Sequence, residues 1–241
     1  TIGGGVLLGH VDPNKIVWLG HSRGGDGVAR AYDLLFRGVS NPANFSIAGI
    51  KLVSSMAPVD FGGWDGAAPF SGQPGNGSHP HDANFHLWVA QSDSDVHGCA
   101  VDPQTFWYGL YERATRKKQS IALYGVGHGD LHDNPSAGAF ASGPNLIGWS
   151  AAHQIQLPYL LALVSHHVNG DIPSRDFLWR QYESFHAVTA PPLSTLGVTV
   201  NMTLHDDAQP GTFVVDSFQS QSTARPNVAT SRASVTFTVQ G

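Results

Sequence analysis

The sequence predicts an α/β fold built on a mostly parallel sheet. Three observations carry that expectation. Four short apolar runs, 16–19, 47–54, 85–90 and 120–124, have the length and composition of buried strands. Helix-forming segments alternate with them, as in βαβ units. The first run ends in Gly20-His21-Ser22-Arg23-Gly24, a G-x-S-x-G sequence set between a strand and a helix.

The elements follow in order. Residues 1–14 are glycine-rich and end in Val11-Asp12-Pro13-Asn14, a turn signal. Residues 16–19 form the first strand, and 28–37 read as the helix behind the serine. The run Ile50-Lys51-Leu52-Val53 marks a second core strand. Residues 57–84 are rich in Gly, Pro, Asn and His, and a loop of that length tends to be functional or disordered. The third strand, 85–90, empties into Gln91-Ser92-Asp93-Ser94-Asp95-Val96. Phe106, Leu110 and Ala114 have helical spacing within 103–117. The fourth strand, 120–124, leads into Gly125-Val126-Gly127-His128-Gly129-Asp130. A long apolar helix follows over 151–168, stopped at Gly170-Asp171. After residue 187 the texture changes to Thr-, Val- and Ser-rich period-2 pieces, at 198–202, 212–215 and 235–239. The expected domains are therefore an α/β core over 1–187 and a short β-rich module over 188–241.

A serine hydroxyl is a weak nucleophile. It needs a base within hydrogen-bond reach, and the base needs an orienting acid. Where a G-x-S-x-G elbow joins a strand to a helix in this way, these groups come in the order Ser, Asp or Glu, His, each on a loop after a strand. Ser22, Asp93 and His128 occupy such loops in that order. Asp95 is the alternative acid. The backbone N–H of Arg23 is the expected oxyanion donor. A Cβ at Gly20 or Gly24 is expected to collide with the adjoining strand or helix. Asp26 is placed to favour the helix dipole. The residues His128, Asp130, His132 and Asp133 lie close enough in sequence to raise a metal site as a competing reading. With His128 as base, no metal or other cofactor is needed, and Asp130 and Asp133 become solvated loop residues. The pairs His79/His81 and His166/His167 read as surface or helix-packing histidines. Trp64, Trp88 and Trp107 read as core or pocket wall.

Composition narrows the remaining classes. Hydrophobic residues make up 41% and charged residues 13%, which allows a sizeable core with many loops. The net charge of −5 and the lack of a basic stripe argue against nucleic acid as a partner. No apolar run is long enough to span a bilayer. A single cysteine, Cys99, excludes an intrachain disulfide and leaves the compartment open.

These residues resemble the α/β-hydrolase superfamily, and more narrowly bacterial serine hydrolases that carry G-H-S-R-G-G. The resemblance rests on Gly20 to Gly25, on the acid turn Asp93-Ser94-Asp95-Val96, and on the base turn Gly125-Val126-Gly127-His128. It covers roughly residues 10–187, and the tail is similar to the β-sandwich extension of some larger members. Ser94 stands where such proteins usually have glycine. The resemblance implies ester hydrolysis through an acyl-enzyme, esterase- or lipase-like, with polyesters among the substrates of relatives. An ordinary member has several strands before its nucleophile, whereas here the serine is residue 22. The expectation is an internal fragment of a larger hydrolase, with an exposed sheet edge that invites self-association.

Overall fold

The computed structural model describes residues 9–60, 84–96, 108–114, 117–136, 138–178 and 200–205. Trp64, His79, His81, Cys99, Trp107 and the expected strands at 212–215 and 235–239 lie outside them. The chain runs β1 (Ile16–His21), α1 (Arg23–Phe36), β2 (Ile50–Met56), β3 (Phe85–Ala90), α2 (Tyr108–Arg113), β4 (Lys118–Leu123), α3 (Gly148–Asn169), α4 (Ile172–Asp176) and β5 (Val200–His205).

The strands make one sheet in the order β1-β2-β3-β4-β5. The first four are parallel, and β5 pairs antiparallel with β4. The four-stranded parallel arrangement with helices is the α/β pattern the sequence predicts. Within the region expected as a β-rich module, β5 extends this same sheet. Among the described residues β1 pairs only with β2, which makes it an edge.

Strand alternation divides the core into two layers. On β3, Phe85, Leu87 and Val89 pack with Ala29 and Tyr32 of α1 and Leu110 of α2. Trp88 and Ala90 point the other way, toward Ala152, Ile155, Tyr159 and Leu163 of α3. All six residues of β3 and of β4 are buried, and β3 reads as a nearly continuous apolar run. By contrast, β4 opens with Lys118, Gln119 and Ser120, of which Lys118 and Gln119 donate to the carbonyls of Tyr111 and Leu178. On β2, Ile50 and Leu52 have the same parity yet face opposite layers. A register shift explains this: Ile16 pairs with Ile50 but Val17 with Leu52, so Lys51 is an extra residue. Its ammonium turns outward to the carbonyl of Ala48.

Trp88 is fully buried, and its indole N–H donates to Ser54 Oγ at 3.2 Å. That bond removes the cost of hiding the polar edge of the ring. The sequence reading of Trp88 as core is met. The helix α1 buries Gly25, Asp26, Ala29, Tyr32 and Asp33, one face at helical spacing. The helix α3 ends at Gly170, whose φ of 70° only glycine adopts cheaply, and whose N–H closes on the carbonyl of His166. His166 and His167 pack ring against ring near that end. Among the described residues no helix is long and apolar enough to cross a membrane.

Candidate active site

Ser22, Asp93 and His128 all lie at the carboxyl ends of parallel strands, after β1, β3 and β4 respectively. That end of an open parallel sheet is where ligand crevices form.

Ser22 sits between β1 and α1 with φ 57° and ψ −123°. A left-handed φ at a residue with a side chain costs of order 1–3 kcal/mol and persists only where neighbours impose it. Here the neighbours are main-chain bonds: the Ser22 N–H donates to Met56 O at 2.9 Å, and its carbonyl accepts from Gly25 N–H at 2.9 Å. The serine occupies the N-cap position of α1, yet its hydroxyl caps nothing. The Arg23 N–H, at the first position of the helix, has no acceptor within it. The Arg23 side chain is exposed.

Gly20 has the steric role expected of it, because a Cβ there would strike the carbonyl of Gly24. Gly24 does not: nothing lies within 4 Å of a Cβ built at that position. The close approach falls one residue later, at Gly25, where a Cβ would come within 2.8 Å of Pro58. The reason is the helix, which begins at Arg23 and turns Gly24 outward while Gly25 faces β2.

Asp93 and His128 form a buried pair, with Nδ1 of the ring 2.7 Å from Oδ2 of the carboxylate. The other oxygen, Oδ1, accepts from the backbone N–H groups of Asp95 at 2.8 Å and Val96 at 2.7 Å. Three donors on one buried carboxylate offset its desolvation. Because the carboxylate can only accept, this network assigns the proton of the neutral ring to Nδ1. Nε2 is then the bare nitrogen, the form a general base requires. Asp95 does not share this pocket. It is exposed, and its Oδ2 stands 3.5 Å from Nε2 on the opposite side of the ring. Ser22 Oγ makes no hydrogen bond to Nε2 among the described residues. Such bonds are commonly long without substrate and tighten in the reacting complex.

A strap over 138–142 ties the acid and base turns together. Phe140 O accepts from Ser94 N–H at 2.9 Å and from His128 N–H at 3.3 Å. Ala139 O accepts from Gly129 N–H at 2.8 Å, and Ser92 O from Ser142 N–H at 2.8 Å. The approach is so close that a Cβ at Gly129 would strike the carbonyl of Gly138. Among the described residues the non-glycine positions with positive φ are Ser22, Ala57, Phe140 and Asn145. All four belong to these loops at the carboxyl end of the sheet. Sequence reasoning missed this strap, and no local signal beyond scattered glycines announces it.

His21 lies against the base turn. Its Nε2 is 2.9 Å from the carbonyl of His128, and the two rings are 4.5 Å apart. Burial first, and the neighbouring His128 second, bring its pKa down to about 4.

The His/Asp cluster is otherwise engaged. Asp130 is buried, not solvated as expected: its Oδ2 accepts from Gly127 N–H at 2.8 Å and closes the base turn. His132 Nδ1 accepts from Asn134 N–H at 2.9 Å. Asp133 is exposed. Among the described residues no group of three or more His, Cys, Asp or Glu is arranged to hold a metal ion. Asp26, in the first turn of α1 as expected, is buried and pairs with Arg30 at 3.3 Å. Its other oxygen has no hydrogen bond, and burial pushes its carboxyl pKa up.

Comparison with protein-family models and with curated proteins finds no match for this chain.

Proposed function

We propose that the chain is an α/β-hydrolase core that cleaves carboxylic esters through Ser22, His128 and Asp93. The observation that carries this reading is the buried Asp93–His128 pair, 2.7 Å apart, on the same sheet end as a serine held at φ 57° with its hydroxyl uncommitted.

In this reading Ser22 Oγ attacks the ester carbonyl while Nε2 of His128 takes its proton. The imidazolium that forms is stabilised by Asp93 through Nδ1–H. The oxyanion forms beside the Arg23 N–H at the positive end of α1, where both the donor and the helix dipole favour it. Collapse expels the alcohol, which receives the proton from His128 and leaves Ser22 acylated. Water, deprotonated by the same Nε2, then attacks the acyl group, and Ser22 regains its proton. Every role falls to a side chain or amide of the chain, and the substrate is a small or polymeric ester.

One observation favours a second reading, a catalytically silent binding module of the same fold. Nε2 of His128 faces Asp95 Oδ2 at 3.5 Å, and Ser22 Oγ does not hydrogen-bond it. Hydrolysis of a short-chain nitrophenyl ester separates the two. The ester reading predicts turnover by the native protein and its loss in Ser22→Ala. Undiminished turnover in that variant, or none in well-folded native protein, contradicts it.

A further inference from the structure

His21 adjoins Ser22 in the chain, and its ring reaches across to the main chain of His128. Alternation on β1 puts it there. Val17 joins the layer of α3, and residues 17, 19 and 21 share that side of the strand. The base turn crosses the same side, because α3 packs against it: the carbonyl of His132 accepts from Trp149 Nε1–H at 2.7 Å and lies 2.9 Å from His153 Nε2. The far end of the turn is therefore held by α3, and its near end by His21.

Among the described residues, the bond from His21 Nε2 to His128 O is the only hydrogen bond joining residues 20–25 to residues 125–132. The Asp93 carboxylate fixes the direction of the His128 ring, but it says nothing about how far that ring stands from the elbow, the strand-to-helix turn over residues 20–25 that carries Ser22. We propose that His21 is a positioning residue that sets the spacing between Ser22 and His128. It does so through one bond from the neighbour of the nucleophile to the backbone of the base. This rests on the serine-hydrolase reading for its catalytic meaning.

The chemistry of the bond is restrictive. A carbonyl oxygen only accepts, so Nε2 of His21 carries the proton. With its pKa down at about 4, the ring is neutral near pH 7, and its Nδ1 is then bare. A neutral ring also spares the site a second positive charge 4.5 Å from the imidazolium that His128 becomes during turnover. The bond thus supplies rigidity without opposing the charge that the reaction creates. A rigid elbow-to-base spacing matters because misplacement of about 1 Å can cost on the order of 100-fold in rate.

The test compares His21→Gln, whose amide N–H can reach the same carbonyl, with His21→Phe, which keeps a ring and loses the donor. Ester kinetics, thermal melting and the low-field proton NMR signal of the His128 Nδ1–H are read on each, with Ser22→Ala as control. The expected result in His21→Phe is a fall in kcat of roughly 10- to 100-fold at nearly constant KM. In the same variant the Nδ1–H signal broadens or disappears, while His21→Gln stays within about threefold of the native kcat and keeps the signal. Full kcat in His21→Phe overturns the proposal, and so does an equal loss in both variants. If native protein hydrolyses no ester, the hydrolase reading fails, and the NMR signal alone decides the positioning role: a signal unchanged in His21→Phe refutes it. Should His21→Phe not fold, His21→Asn, whose shorter amide does not span the gap, is read in its place.

Discussion

Oδ2 of Asp93 lies 2.7 Å from Nδ1 of His128, whereas Oδ2 of Asp95 lies 3.5 Å from Nε2 of the same ring. Two carboxylates two residues apart thus address opposite nitrogens. Only Asp93 is buried and bound to backbone amides, so only Asp93 can hold the ring in one tautomer. Asp93→Asn is expected to lower kcat by about 1,000-fold or more, by presenting the ring with the wrong partner. Asp95→Ala is expected to stay within about threefold of native kcat, since it removes an exposed group. Steady-state ester kinetics on the two variants decide which aspartate orients the base.

The elbow glycines separate by the same kind of contrast. Gly20→Ala drives a methyl into the carbonyl of Gly24, a main-chain atom that cannot swing aside. Its expected cost is about 2–3 kcal/mol or more. Gly24→Ala meets nothing within 4 Å and sits in the first turn of α1. It is expected to be neutral or to stabilise by about 0.5 kcal/mol. Urea denaturation of the two variants measures the difference.

Acid stability follows from histidines kept neutral inside the fold. Burial lowers His21 to about 4 and His167 to about 3, and holds the fully buried His86 well below 6.5. Above pH 6.5 both folded and unfolded chains leave these rings neutral. Below it the unfolded chain binds protons that the folded chain refuses, so stability falls as pH drops from about 6.5 toward 4. Asp26, whose pKa burial raises, works in the opposite direction over the carboxylate range. Melting temperature is therefore expected to decline through that window, and less steeply in His86→Leu. An unchanged slope in the variant would rule out His86 as a contributor.

The segment after β2 is stapled to α2 by Asp60 and Arg113. One guanidinium nitrogen, Nη2, reaches both carboxylate oxygens, at 2.8 and 2.9 Å. Asp60 is buried, so Arg113→Ala leaves a carboxylate with lost donors and is expected to destabilise by about 2 kcal/mol. Arg113→Lys should recover only part of this, because the lysine ammonium sits one bond nearer the backbone than Nη2 and reaches the carboxylate less well. Chemical denaturation of both variants checks the order.

What was legible from sequence was what repeats locally. The strand β3 announces itself as an apolar run because both faces of the sheet are covered there, while β1 and β4 show only through the shorter apolar stretches 16–19 and 121–123. The elbow, acid turn and base turn follow from their places after those strands. Less legible were contacts made across the chain. The strap at Phe140, the bond from His21 to His128 and the burial of Asp130 each depend on which loops the sheet order makes neighbours. Alternation on β1 carried a usable hint for His21, once the layer of α3 is known. The Gly24 expectation failed because a motif gives spacing, and the direction each glycine faces depends on where the helix begins.

The proposed ester chemistry requires Ser22 to be an activated nucleophile. The most direct measurement is reaction of the native chain with a fluorophosphonate, followed by mass-spectrometric mapping of the adduct. One adduct is expected, on Ser22, that forms in the native protein and is abolished in His128→Ala. A well-folded native protein that takes no label at Ser22, or one labelled equally fast without His128, contradicts that chemistry.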